Sequence, residues 1–283
     1  MRLEQLGELG LLAELERRGL ARDIADDVAV LADGVVVTQD ALLEGVHFRL
    51  DWTTWRDLGW KAAAVNLSDL AAAGAEPEAL VVSLGLPSAT ELDDVVELYE
   101  GMAETGVPVV GGDTTAAERV YLSVTAVGRS PRVPGRSGAR PGDLLVVTGP
   151  LGGSSAGFKA LREGRGSHHV ATHLRPALRL EEGRRLARVA HAMLDVSDGL
   201  AVDAGRLASR SGCKVSIDLH CVPLAAGLED LAFGEDYELL AATPDPLDFT
   251  VIGRCEEGAG VELTLDGRPV ELRGYEHFSP REP

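Results

Sequence analysis

Short runs of β-branched and aliphatic residues alternate with longer helical patterns along most of the chain. Strand-like runs at Val35–Thr38, Leu80–Leu86, Val107–Val110 and Val120–Val127 enclose helical patterns at Gly59–Ala73 and Glu91–Thr105. Gly74, just ahead of Pro77, closes the first of these helices. A stretch rich in Pro, Gly and Arg, Ser130–Gly142, then sets a boundary between domains of residues 1–136 and 137–283. Beyond it Leu144–Thr148 reads as a strand, GPLGGSSAGF leads into a helix, a second helix follows Pro176, and Gly199–Ser211 forms a third. Lys214–Leu219, Tyr237–Ala242 and Thr250–Arg254 read as strands, with a hairpin turn at Asp266-Gly267. The alternation predicts a mixed α/β protein. The N-terminal MRLEQLGELGLLAELERRGL reads as an amphipathic helix and the closing SPREP as a loose tail.

Composition narrows the function. With 283 residues, 45% of them apolar, the chain can build a proper core. A formal net charge of -18 repels a nucleic-acid backbone, so nucleic acid is not expected as a partner. No apolar run approaches the roughly 18 residues a membrane span requires. The N-terminus lacks the basic region of a signal peptide. Cys213, Cys221 and Cys255 have no CxxC spacing, which argues against a zinc site or disulfide framework and fits a reducing cytoplasm. Lys61, Lys159 and Lys214 are the only lysines, and none stands in a G-x-x-x-x-G-K-[ST] context, so no Walker-type ATP site is expected.

The aspartates carry the chemical signal. Asp26 and Asp27 precede the short strand VAVL, Asp40 follows VVVT, and Asp69 lies in AVNLSDLAAAG. Asp113 follows VPVVGG, and Asp195 and Asp198 flank Ser197 in LDVSDG. A carboxylate on a small-residue loop at a strand end can face a ligand. Mg²⁺ takes a few carboxylates together with water and phosphate oxygens, so several such loops converging would clamp a phosphate through metal ions. Taken singly, each aspartate also reads as a turn or N-cap residue, Asp198 as the cap of the helix at Gly199. Asp69 is harder to explain in that way. It shares a face with Asn66 on a small, apolar helix, where a buried carboxylate needs a partner or a metal. GPLGGSSAGF reads either as a phosphate cradle at a helix N-terminus or as a Gly-rich turn. His47 follows Asp40 closely on what reads as one loop, as a structural residue or a ligand contact. Glu235 and Asp236 mark a turn or a substrate contact. Tyr275 is one of four tyrosines, packed on the core or against a flat ring. Arg136 in the connector is a solvated charge or a phosphate clamp.

In this order, ADDVAVL, TQDALLEGVHF, LGWKAAAVNLSDLAAAGAEP, VVGGDTT, GRSGARPGD, TGPLGGSSAGF, HLRP, DVSDGL, FGEDYELL and GYEHF resemble the thiamine-monophosphate kinase family, over nearly the whole chain. VNLSDLAAAGA and GGDTT are shared with the wider superfamily of aminoimidazole-ribonucleotide synthetase, selenophosphate synthetase and the hydrogenase-maturation dehydratase. The resemblance implies a two-domain α/β (α+β) fold, with N-terminal strands closing a β-barrel across a homodimer. It also implies an ATP-dependent phosphorylation of thiamine monophosphate to thiamine diphosphate, assisted by several Mg²⁺. Carried over by position, Asp27, Thr38, Gln39, Asp40, Asp69, Asp113, Asp195 and Asp198 would hold metal. Tyr99, Gly112, Arg136 and Ser197 would contact ATP. His47, Glu235 and Tyr275 would hold thiamine monophosphate, with no protein base expected. Three positions depart from the family pattern: Ala25 stands for Gly before Asp26-Asp27, Gln39 for a second Thr, and Phe233 for the first Gly of Gly-Gly-Glu-Asp. Two alternatives remain, another ATP-using enzyme of the superfamily and a non-catalytic nucleotide- or metal-binding regulator. Selenophosphate synthetase needs a reactive Cys or selenocysteine near the N-terminus, whereas the first cysteine here is Cys213.

Overall fold

A computed structural model describes residues 2–22, 24 and 26–275, apart from the side chains of Glu4 and Leu9. Ala25, the end of GYEHF and the SPREP tail lie outside the described residues. In chain order the first half holds α1 (Leu3–Arg17), β1 (Ala29–Val30), β2 (Val35–Leu43), α2 (Trp55–Ala72), β3 (Glu76–Leu86), α3 (Leu92–Ala103), β4 (Val109–Ala116) and β5 (Tyr121–Arg129). The second half holds β6 (Leu144–Val147), α4 (Gly153–Arg162), α5 (His169–Leu174), α6 (Leu180–Ala187), β7 (Ala192–Asp195) and α7 (Leu200–Ser211). It ends with β8 (Lys214–Asp218), β9 (Leu239–Thr243), β10 (Thr250–Glu256), β11 (Gly260–Leu265) and β12 (Arg268–Val270).

The strands form two sheets, ordered β1-β2-β5-β3-β4 and β12-β11-β8-β10-β6-β9-β7. Only the pairs β3–β4 and β8–β11 run parallel among the described strands. Alternate residues of β5, Leu122, Val124 and Ala126, point into a core shared with α2 and α3. Gly59 and Gly101 let those two helices touch: a Cβ on either would lie 1.9 Å from a backbone oxygen of the other helix. The opposite side of α2 packs on the second sheet, where Ala71 and Ala72 join Leu186, Met193, Leu239 and Ala241. A helix enclosed between two sheets must be small-sided, which explains its alanine-rich sequence.

Several elements depart from the sequence reading. β2 runs on to Leu43 and β4 to Ala116, so Asp40 and Asp113 lie inside strands and not after them. The apolar alternation ends early in both because β4 is almost wholly exposed and β2 turns polar facing the cavity. Helix α5 precedes Pro176 unannounced. α1 is broken at Gly7, with φ +69. The expected turn between β11 and β12 is present, with φ of 52 at Asp266 and 71 at Gly267. Among the described residues, the first sheet ends at β1 and β4, so no barrel closes within one chain.

Candidate active site

A cavity of about 710 Å³ opens between the two sheets, and its floor is acidic. Asp27 precedes β1, Asp69 comes from α2, and Asp195 ends β7; each offers a carboxylate oxygen within 4.8 Å of the others. Each is held by a neighbour. Thr38 Oγ1 donates to Asp69 Oδ2 at 2.5 Å, and Ser68 Oγ donates to Asp195 Oδ2 at 2.6 Å. Arg136 Nε donates to Asp27 Oδ1 at 2.9 Å, with Nη2 on the same oxygen. Asp40 lies two residues beyond Thr38 on the same sheet face and lines the cavity. Its backbone N–H donates to Asn66 Oδ1 at 2.9 Å, which gives buried Asn66 the partner its position needs.

Three carboxylates so close resist ionising together. Burial, then Asp40 and Asp195, push Asp69 well above the usual carboxylate range. Burial and then Asp27 do the same to Asp195. Burial raises Asp27 against the pull of Arg136. A hard divalent cation is the partner that relieves such a cluster, and an all-oxygen donor set of carboxylates with a threonine hydroxyl beside it fits Mg²⁺.

Asp198 and Ser197 border the same floor. Arg206 Nη1 holds Asp198 Oδ2 at 2.5 Å, and helix α7 starts at Leu200 with Gly199 in the N-cap position and no side-chain cap, so Asp198 is not its N-cap. Gln39 faces away from Thr38 and Asp40: its Nε2 donates to Ser123 Oγ at 2.7 Å and its Oε1 accepts from Thr125 at 3.3 Å. Although it borders the cavity, its amide is committed to β5 and not to the carboxylates. Gly112, Asp113 and Tyr99 are not brought to this cavity by their own chain. β4 is three strands from β2, about 14 Å away, and Tyr99 packs on the N-terminal core from α3.

The GPLGGSSAGF loop does lead into a helix N-terminus, but its anion is internal. Asp236 accepts the N–H groups of Gly152 at 2.7 Å and Ser154 at 3.1 Å, so no phosphate is cradled there. Burial nonetheless pushes Asp236 up to about 6. This anchor fixes a segment of unusual backbone, with φ of 84 at Gly234, 56 at Glu235 and 54 at Tyr237. The N–H of Glu235 donates to Ser197 O at 2.8 Å and that of Tyr237 to Val196 O at 3.0 Å. The turn is thereby locked onto the acidic loop.

The other end of the cavity is aromatic. Phe158 lies 4.9 Å from Phe233, 5.7 Å from Trp52 and 5.8 Å from His173, ring centre to ring centre. Phe233, the departure from Gly, is thus part of the wall. Lys61 Nζ sits 3.3 Å from Glu235 Oε2 with its side chain 4% exposed. His47 Nδ1 accepts the Leu43 N–H at 3.0 Å, which leaves the proton of the neutral ring on Nε2. Tyr275 is half-exposed at the rim, its N–H donating to Asp198 O at 3.0 Å. Lys61, Trp52, Phe158, His173, Arg206 and Tyr237 line the cavity without having been singled out from sequence. The signal for Lys61 was available: a cation set among the small apolar residues of an alanine-rich helix must have a partner.

Two domain families match the chain: AIR synthase related protein, N-terminal domain, over residues 25–130, and its C-terminal domain over residues 140–262. The thiamine-monophosphate kinase of Aquifex aeolicus is 37% identical over 98% of this chain and 100% of its own length. That of Salmonella typhimurium is 34% identical over 96% and 98%. The structure of AaThiL complexed with AMPPCP and TMP has a TM-score of 0.91 at 38% identity, covering 98% of this chain and 99% of that one. The chain belongs to the thiamine-monophosphate kinase family of AIR synthase related proteins.

Proposed function

We propose that this chain transfers the γ-phosphoryl group of ATP directly to thiamine monophosphate, giving thiamine diphosphate and ADP. The observation that carries the proposal is the meeting of Asp27, Asp69 and Asp195 from three separate elements on one cavity floor. Those three carboxylates would hold divalent cations, with Asp40, Asp198 and the Thr38 hydroxyl beside them. Bound there, Mg²⁺ supplies the positive charge that offsets repulsion between two phosphate groups. The chain's own part is positioning. The attacking phosphate oxygen is already anionic, so no protein base is needed, and in-line alignment dominates. Arg136 supplies fixed positive charge against the nucleotide phosphates, and Ser197 borders them. His47 Nε2–H, Glu235 and Tyr275 face the acceptor substrate.

Gly112, Asp113 and Tyr99 fit this reading through a second copy of the chain. The open edge at β4 is exposed along most of its length, and we read it as the surface on which a homodimer closes its barrel. The division into domains of residues 1–136 and 137–283 follows the same reading. Cys213, Cys221 and Cys255 are unbridged, as suits a reducing cytoplasm. Incubation with ATP, Mg²⁺ and thiamine monophosphate, followed by ³¹P NMR, tests the proposal. A new diphosphate signal matching ADP formation supports it, and ATP hydrolysis to free phosphate alone contradicts it.

A further inference from the structure

Lys61 is not used by the mechanism above. Its ammonium has three N–H donors, and among the described residues its one hydrogen-bond partner is Glu235 Oε2 at 3.3 Å. A side chain 4% exposed cannot leave its other donors to bulk water, and it lines the cavity. Glu235 in turn has His173 Nδ1 at 3.5 Å from the same oxygen, and Ser154 Oγ lies 2.9 Å from that Nδ1. Burial, and next the charge of Lys61, drive His173 down to about 2, so its ring is neutral. The corner therefore presents one strong donor and one strong acceptor side by side, walled by Phe158, Phe233 and Trp52.

Position along α2 sets what can reach this corner. Lys61 is eight residues from Asp69 on the cavity-facing stripe, about 12 Å along the axis, and helix side chains lean toward the N-terminus. A phosphate held at the acidic floor leaves a two-ring substrate extending toward the aromatic end. The cationic thiazolium then falls beside the carboxylates, and the neutral ring falls beside the ammonium, where no like charges meet.

We infer that Lys61 and Glu235 together read the edge of the substrate's aminopyrimidine ring, Lys61 donating to a ring nitrogen and Glu235 accepting from the exocyclic amine. This inference rests on thiamine monophosphate being the acceptor. A site built to bond an amine rejects an analogue that presents a carbonyl in its place, because donor then lacks acceptor and acceptor faces acceptor.

The test compares kcat/KM for thiamine monophosphate and oxythiamine monophosphate, in which the amine is replaced by an oxo group, in three proteins. The wild type should prefer the amine by roughly 10²-fold. Glu235→Gln, whose amide can donate to the oxo group, should shrink that preference by roughly tenfold or more. Lys61→Met should also narrow it, by removing the donor that opposes the ring N–H of the oxo form. The ratio is internal to each protein, so partial loss of folding does not alter it. An unchanged ratio in both variants, or a wild type indifferent to the two substrates, overturns the inference alone. A wild type that turns over neither overturns the kinase reading and the inference with it.

Discussion

Ser68 Oγ donates to Asp195 Oδ2 at 2.6 Å, tying the helix of the first sheet to a strand of the second. The adjacent residue, Asp69, lies about 100° further round α2 and meets Thr38 on β2. One helix thus brings carboxylates of both halves to a single point. Ser68→Ala leaves a buried carboxylate short of a donor, at a cost of about 1–3 kcal/mol. Urea unfolding of the metal-free protein should show this as a lower midpoint with an unchanged slope.

Asp69→Asn should separate activity from stability. Burial and its acidic neighbours disfavour the Asp69 charge, so removing that charge leaves the metal-free fold as stable or more so. Turnover should fall by roughly 10²- to 10³-fold, the scale expected when a group stabilising transition-state charge is lost. Thermal melting in chelator and steady-state kinetics on the same preparation check both halves.

Metal binding should oppose proton binding at this floor. Asp69 and Asp195 have folded pKa values above the unfolded ones, so the metal-free fold binds more protons than the unfolded chain in that window. Its stability contribution therefore rises as pH falls through the folded values. Bound Mg²⁺ requires the ionised form, so its stabilisation should shrink over the same range. The increase in Tm on adding Mg²⁺, measured from mildly alkaline to mildly acidic pH, should diminish steadily.

His173 gives the opposite slope. It stays neutral when folded down to about pH 2, because burial opposes its charge and Lys61 repels it, while the unfolded chain protonates near 6.5. The unfolded state then holds the extra proton, so stability falls with pH below 6.5, by up to about 1.4 kcal/mol per unit. In chelator, denaturant melts of His173→Asn should lack that part of the acid sensitivity seen in the wild type.

These residues mark how far the sequence could be read. Asp69 was legible because a carboxylate in an alanine-rich helix has no cheap explanation, and the face it shares with Asn66 follows from helical spacing. Asp113 resembled it by motif, yet strand order places it at the far edge of the sheet, and order is a long-range property that no local pattern encodes. Gln39 is adjacent to Asp40, and the two-residue period of a strand turns it to the other face. The GPLGGSSAGF loop reads either as a phosphate cradle or as a Gly-rich turn; the anion on its N–H groups is the chain's own Asp236, 84 positions from Gly152. Phe233 needed the tertiary contact with Phe158 before its place was apparent, and Lys61, whose need for a partner the sequence signals, needed the fold to name that partner as Glu235.

The central claim is that Asp27, Asp69 and Asp195 jointly hold divalent ions against the phosphates. Anomalous scattering from a crystal grown with Mn²⁺ and a non-hydrolysable ATP analogue measures this most directly. A peak within bonding distance of all three carboxylates, or a pair of peaks shared among them, is the predicted result. Well-ordered nucleotide with no metal density between those side chains would contradict the account.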